Sequence, residues 1–340
     1  MVSTLLQVEG LKKYYPIGRT LLGRPTQVVK AVDNVSFAAE QGKTLGIVGE
    51  SGCGKSTTAR LLMHLIHPNQ GRIAIAGQEY GPGPGRQPVE LLRKRMQMVF
   101  QDSYASLNAR LTIEDSIAFG PKVHGATARE ASAKARDLLD RVGLNPDNFI
   151  RRYPHELSGG QRQRVNIARA LAINPEIVIL DEAVSALDKS VQAQVLNLLA
   201  DLKADFGLTY LFISHDLNVV QYVSDQVIVM YLGQVVESGP ARAMYANPAH
   251  PYTAALLSAL PALHPKDRKQ RAPLEGDPPN PISPPSGCRF HKRCPVAEPV
   301  CAEKMPLLTN IGGDRQVACH LRIPNSGYSA VQPITPLAIP

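Results

Sequence analysis

The stretch Thr44-Leu45-Gly46-Ile47-Val48-Gly49-Glu50-Ser51-Gly52-Cys53-Gly54-Lys55-Ser56-Thr57 governs how the rest of the chain is read. Its aliphatic start predicts a buried strand, Gly49 to Ser56 fits the pattern G-x-x-x-x-G-K-[ST], and Thr57 to Leu65 has the composition of a helix. The glycines let successive backbone N–H groups converge on an anion, and the following helix directs its positive end at the same point. Lys55 is suited to bridge the β- and γ-phosphates of a nucleotide, and the Ser56 hydroxyl to hold Mg²⁺. Gly49, Ser51, Gly52, Cys53, Gly54 and Thr57 complete the expected cradle.

Composition narrows the class without naming it. A chain of 340 residues suggests two or three structural units, and 44% hydrophobic residues supply a core. No apolar run reaches the roughly 18 to 20 residues that span a bilayer. Met1-Val2-Ser3-Thr4 lacks the features of a secretion signal, so a soluble, cytosolic chain is expected. A net charge of +8 suits an anionic partner but does not select one. The basic clusters Arg93-Lys94-Arg95 and Lys266 to Arg271 read as solvated faces. With no Trp and few aromatics, nothing forms a stacking platform for bases, and no nucleic-acid partner is expected.

Further along, Leu5 to Gly10 and Val28 to Ala39 alternate as half-exposed strands around a Gly/Arg-rich insertion, Ile17 to Pro25, and predict an antiparallel flap. Val99 and Phe100 end another strand. A helical subdomain is expected over about 103–170, where Ala131, Ala135, Leu138, Leu139 and Val142 share one face and Gly143 caps it. Ile177 to Leu180 and Leu208 to Ile213 read as buried parallel strands. Gln226 to Gly239 reads as a hairpin turning at Gly233-Gln234. Beyond residue 260 lie 15 of the 28 prolines, which predicts a boundary there: a nucleotide-binding domain over 1–260, a Pro-rich irregular unit with little core over 261–324, and a flexible tail over 325–340.

Ile177-Val178-Ile179-Leu180-Asp181-Glu182 places two acids at the end of a buried strand. Asp181 is suited to orient Mg²⁺ and Glu182 to polarise an attacking water as general base. Ser158, Gly159 and Gly160 open a second helix, Gln161 to Leu171, whose N–H groups make a second anion-binding end.

Leu157-Ser158-Gly159-Gly160-Gln161 resembles the signature motif of ABC-transporter ATPases, and the resemblance extends over roughly residues 5–260. It implies an α/β P-loop NTPase fold of ABC type, with Gln101 as the Q-loop residue contacting Mg²⁺, Ser185 to Asp188 as the D-loop, and His215 as the switch histidine. Tyr14 is implied as the adenine-stacking aromatic, with Tyr15 its rival. Catalysis would then fall to Glu182, His215, Gln101 and Lys55. ATP would lie between the phosphate loop of one subunit and Ser158, Gly159, Gly160, Gln161 and Asp188 of another, with Ser56, Gln101 and Asp181 around Mg²⁺. Ala183 departs from the family's usual proline after the base.

Five cysteines are present, four of them in the last quarter of the chain. Cys288, Cys294, Cys301 and Cys319 suit an iron–sulfur cluster or tetrahedral zinc, and their spacing does not choose. Cys53 lies in the phosphate loop, apart from them. Gly287 to Pro295, Tyr153 to Glu156 and His250 to Thr253 resemble the second ATPase subunit of oligopeptide and dipeptide importers, which implies a [4Fe-4S] cluster with Zn²⁺ as alternative. The same resemblance implies a second ATPase subunit in a heterodimer, two membrane permease subunits, a solute-binding protein, and a place on the cytoplasmic face of the inner membrane. Nickel complexes or glutathione are alternative solutes, and a ribosome- or DNA-directed ATPase is the alternative class.

Overall fold

A computed structural model describes residues 3–18, 26–260, 280–329 and 331. In chain order its strands are β1 (Thr4–Ile17), β2 (Gln27–Glu40), β3 (Thr44–Val48), β4 (Gln70–Ile75), β5 (Gln78–Glu79), β6 (Met96–Val99), β7 (Ile177–Asp181), β8 (Thr209–Ile213), β9 (Gln226–Tyr231), β10 (Gln234–Pro240), β11 (Thr309–Gly312) and β12 (Arg315–Val317). The helices are α1 (Lys55–Leu62), α2 (Val89–Arg95), α3 (Ile113–Val123), α4 (Ala128–Arg141), α5 (Pro146–Phe149), α6 (Gly159–Leu171), α7 (Lys189–Phe206), α8 (Leu217–Val223), α9 (Ala241–Ala246), α10 (Pro251–Ser258) and α11 (Pro299–Glu303). These residues divide into two compact units, one built on Ala39–Thr44 and Ala74–Ser214, the other on Gln7–Ala38, Leu45–Ile73 and the chain from His215 onward.

In the first unit β6, β7 and β8 run parallel, in register from Met96 against Ile177 and from Ile177 against Thr209. Every residue of β7 and β8 is buried, which is why both read as unbroken apolar runs rather than alternating ones. Helices α3 to α6 form the helical part. Ala131, Ala135, Leu138, Leu139 and Val142 are fully buried, as their spacing predicts. Thr127 starts α4 with a capping box to Glu130, and Gly143 ends that stretch at a φ of 71°.

The second unit holds a mixed sheet in the order β11-β12-β10-β9-β3. β3 pairs parallel with β9, β9 antiparallel with β10, and β10 antiparallel with β12. Most of β1 and β2 lies here too, hydrogen-bonded in the order β2-β1-β4.

Three expectations need correction. The first strand runs on to Ile17 rather than ending at Gly10, because alternation decays while pairing continues. The β9–β10 turn is Leu232-Gly233, both at positive φ (43° and 80°), one residue earlier than expected. The C-terminal segment is not merely irregular: β11 and β12 extend the sheet, and Val317, Cys319 and Leu321 pack with Ala249 and Ala254 in a buried cluster. Pro counts weighed against strands there, but none of those prolines falls within 307–323.

The basic run Lys266 to Arg271 and most of the Ile17 to Pro25 insertion lie outside the described residues, as does the expected tail apart from 325–329 and 331. Within that tail the Tyr328 hydroxyl donates to the Val296 carbonyl at 2.6 Å. No helix among the described residues is long and apolar enough to cross a membrane.

Candidate functional site

The phosphate loop follows β3 in the second unit. Gly49 and Gly54 adopt φ of 149° and 107°, and a Cβ at either would sit 2.2 Å from the Met230 carbonyl oxygen or 2.3 Å from that of Ala31. The loop therefore requires glycine for space as well as for backbone freedom. Gly54 is also the N-cap of α1 and, having no side chain, caps none of the first amides of the helix, the end at which a helix dipole favours an anion. Lys55 is 5% exposed, and its ammonium donates to the carbonyls of Gly49 at 2.8 Å and Glu50 at 3.0 Å. Cys53 packs beneath the loop, where burial pushes its thiol up. Ser51 and Gly52 are exposed, Ser56 and Thr57 half-buried.

Tyr14 is half-buried on β1, and its hydroxyl donates to the Asp33 carboxylate. Burial and then that carboxylate push the phenol up to about 12. Tyr15 is exposed, under the Lys13 ammonium. His215, the first residue of the same unit's C-terminal stretch, is exposed.

The first unit carries the acids. Asp181 closes β7 at 4% exposure, and Glu182 follows at a φ of 49°, a left-handed conformation that turns the chain sharply. The amide of Gln101 donates to Glu182 Oε2 at 2.9 Å, and the Glu182 carbonyl accepts from the Ser185 hydroxyl at 2.9 Å. Sequence reasoning paired Glu182 with water and Gln101 with metal; the structure joins them to each other and ties both to the start of the D-loop. Ala183 is buried at the position of the departed proline.

Ser158 caps α6: its hydroxyl accepts from the Gln161 amide at 3.3 Å, and the Gln161 side chain accepts from the Ser158 amide at 3.0 Å. Gly160 has a second reason to be glycine that the anion argument missed, since a Cβ there would lie 2.5 Å from Val191 Cγ1 on α7. Gly159 has no such conflict, with Leu187 at 3.8 Å. Asp188 caps α7 by accepting from the Val191 amide at 2.9 Å, and that bond, then the Ser190 hydroxyl, lowers its carboxyl.

Cys288, Cys294, Cys301 and Cys319 line one small cavity together with His250, His291 and His320. None is in a disulfide. Burial, and with it the repulsion of neighbouring thiolates, pushes Cys288 up to about 11 and Cys294 and Cys319 up to about 12. Among the described residues no group of three or more His, Cys, Asp or Glu side chains is arranged to hold a metal ion.

Sequence reasoning gave no role to four residues of the second unit, Arg293, Glu50, Arg289 and Asp33. Arg293, on the cysteine loop, donates to both oxygens of Glu50 at 2.9 and 3.1 Å. Arg289 donates to Asp33, the same carboxylate that holds Tyr14. The only signal was two arginines four apart between Cys288 and Cys294; their acidic partners lie far back in the chain.

Comparison with known proteins agrees with this geometry. Residues 32–185 match the family described as ABC transporter, and residues 236–301 match the oligopeptide/dipeptide transporter C-terminal region. The oligopeptide transport ATP-binding protein AppF of Bacillus subtilis is 50% identical over 94% of this chain and 98% of its own length. The dipeptide transport ATP-binding protein DppF of Escherichia coli is 47% identical over 93% of each. Among solved structures, cbiO1 of Clostridium perfringens, part of the ABC transporter complex cbiONQ, superposes with a TM-score of 0.60 at 26% identity, covering 72% of this chain and 91% of that one. A dimeric ATP-binding cassette in a post-hydrolysis state with ADP and phosphate gives 0.59 at 27% identity, over 70% of this chain and 99% of that one. With about half its residues identical over nearly the full length of both chains, this protein belongs to the ATP-binding proteins of the oligopeptide/dipeptide branch of the ABC transporter family.

Proposed function

We propose that the chain is the ATP-hydrolysing subunit of a bacterial importer of dipeptides or oligopeptides, acting with two membrane permease subunits and a solute-binding protein from the cytoplasmic face of the membrane. The observation that carries this reading is the phosphate loop shaped by Gly49 and Gly54 in a chain that matches, nearly end to end, proteins named for oligopeptide and dipeptide transport.

Lys55 and the N-terminal end of α1 hold the β- and γ-phosphates. Ser56 in one unit, and Gln101 and Asp181 in the other, would each serve as a ligand for Mg²⁺, which would offset phosphate charge, and Tyr14 would stack on adenine. Glu182 takes the proton of the attacking water while His215 contacts the γ-phosphate. In a heterodimer with a second ATPase subunit, this chain presents its Ser158 to Gln161 helix end and Asp188 to the ATP held by the phosphate loop of that subunit. Closure adds contacts that the open state lacks, so ATP favours the closed state by that difference, and loss of phosphate reopens it. Co-purification of the chain with both permeases, and peptide-stimulated ATP hydrolysis by the assembly, is the expected result; an ATPase that associates with no membrane protein contradicts it.

The four C-terminal cysteines are assigned to a [4Fe-4S] cluster, with zinc the alternative. What supports the assignment is donor chemistry, four soft thiols lining one cavity, of which Cys288, Cys294 and Cys319 have proton affinities raised by burial that a cation would reverse. Such a group would be held by Cys288, Cys294, Cys301 and Cys319 and would cross-link the segments that carry them.

A further inference from the structure

We propose that Arg293, with Arg289 beside it, is a positioning residue for ATP, so that the cysteine loop sets how tightly the phosphate loop holds its nucleotide. This rests on reading Gly49 to Thr57 as the ATP cradle.

Glu50 directly follows Gly49, and every polar group it has is tied. Its amide donates to the Tyr252 hydroxyl at 2.9 Å, its carbonyl accepts from Lys55 at 3.0 Å, and its carboxylate takes both arms of the Arg293 guanidinium. Two of those three ties come from the C-terminal part of the chain. The Arg293 side chain is 7% exposed and that of Glu50 21%, so water screens the pair weakly. A carboxylate in a phosphate cradle repels a triphosphate; a fork of parallel N–H groups both offsets its charge and fixes where it points.

The second arm repeats the device. Arg289, 4% exposed, donates to Asp33 and to the Leu232 carbonyl, and Asp33 in turn accepts from the Tyr14 hydroxyl. The two arginines are one short helical turn apart, His291–Arg293. Between them Phe290 packs on Tyr231 and Tyr252 with ring centroids 5.4 Å away. Behind, the Cys288 amide donates to the Cys301 carbonyl at 2.7 Å, and Gly287 passes so close that a Cβ would lie 2.3 Å from the same oxygen. The loop is thus fastened at its back to the second cysteine segment and at its front to both ends of the expected nucleotide site.

The test is titration of the full chain with a fluorescent ATP analogue, alongside steady-state kinetics and thermal unfolding. Arg293→Gln is expected to raise the Kd and KM for ATP about tenfold, the scale of a lost charge-assisted bond, with kcat at saturation unchanged. Adding Glu50→Gln, which removes the carboxylate that has lost its guanidinium, recovers most of that loss. Arg293→Lys keeps the charge without the fork and falls between, which also covers a poorly folding Arg293→Gln. A lowered Tm with an unchanged Kd, or a loss that Glu50→Gln does not recover, overturns the proposal and leaves Arg293 a stability residue. If Lys55→Ala abolishes binding while Arg293→Gln and Arg293→Lys bind as wild type does, this proposal alone fails. If the wild-type chain binds no analogue, the ATP reading fails with it.

Discussion

The side-chain amide of Gln101 donates a 2.9 Å hydrogen bond to Oε2 of Glu182, joining the second residue after β6 to the first after β7. The two adjacent parallel strands end within one residue of each other, with the last residue of β6, Val99, opposite Leu180, and so deliver both side chains to one place.

Glu182→Gln keeps an oxygen for Gln101 to bond but cannot take a proton. ATP hydrolysis, followed as phosphate release, is expected to fall by about 10²-fold or more, while ATP binding is retained and ATP-dependent association with a second subunit is prolonged in size-exclusion chromatography. Wild-type turnover would mean that another group is the base.

Gly160→Ala puts a methyl against Val191. Overpacking of this kind costs about 1–3 kcal/mol, read as a lower denaturation midpoint. Val191→Ala in the same chain is expected to restore most of the loss, because it removes the atom 2.5 Å away. A Gly160→Ala chain with an undiminished midpoint would show that α6 and α7 adjust without strain.

Glu237 is fully buried, accepts from the amides of Ala249 and His250 at 2.9 Å, and pairs with Arg315 at 2.8 Å. Glu237→Ala leaves a buried guanidinium and two amides without their carboxylate. Urea unfolding should show a loss of about 3–5 kcal/mol, and Glu237→Gln a smaller one. Equal stability of Glu237→Ala and wild type would contradict the role assigned to the pair.

Cys319→Ser removes one of the four thiols around the C-terminal cavity. Anaerobically purified wild type is expected to carry iron and acid-labile sulfide, or zinc in the alternative, and the variant to lose it along with thermal stability. Metal-free wild type of full stability would discard the metal assignment.

Several of these features were legible in the residues themselves. The strand–loop–helix order around Lys55, the 3.6-residue spacing that buries Ala131 to Val142, and the unbroken apolar runs of β7 and β8 are local patterns set by backbone periodicity. The Ser158 cap and its Gln161 partner are three residues apart and equally local. The turn at Leu232-Gly233 was displaced by one residue because a left-handed leucine has no compositional signal.

By itself, then, the sequence determined the nucleotide chemistry, since a phosphate cradle is made by one contiguous segment whose glycines, lysine and serine must stand in fixed order. Only the tertiary structure decided that Arg293 grips Glu50 across 243 residues, that Glu237 meets Arg315 across 78, and that Gly160 is needed for space beside Val191. Each of those depends on which segments chain folding brings together, and an ion pair or a close approach between distant segments leaves no period, spacing or composition in either one.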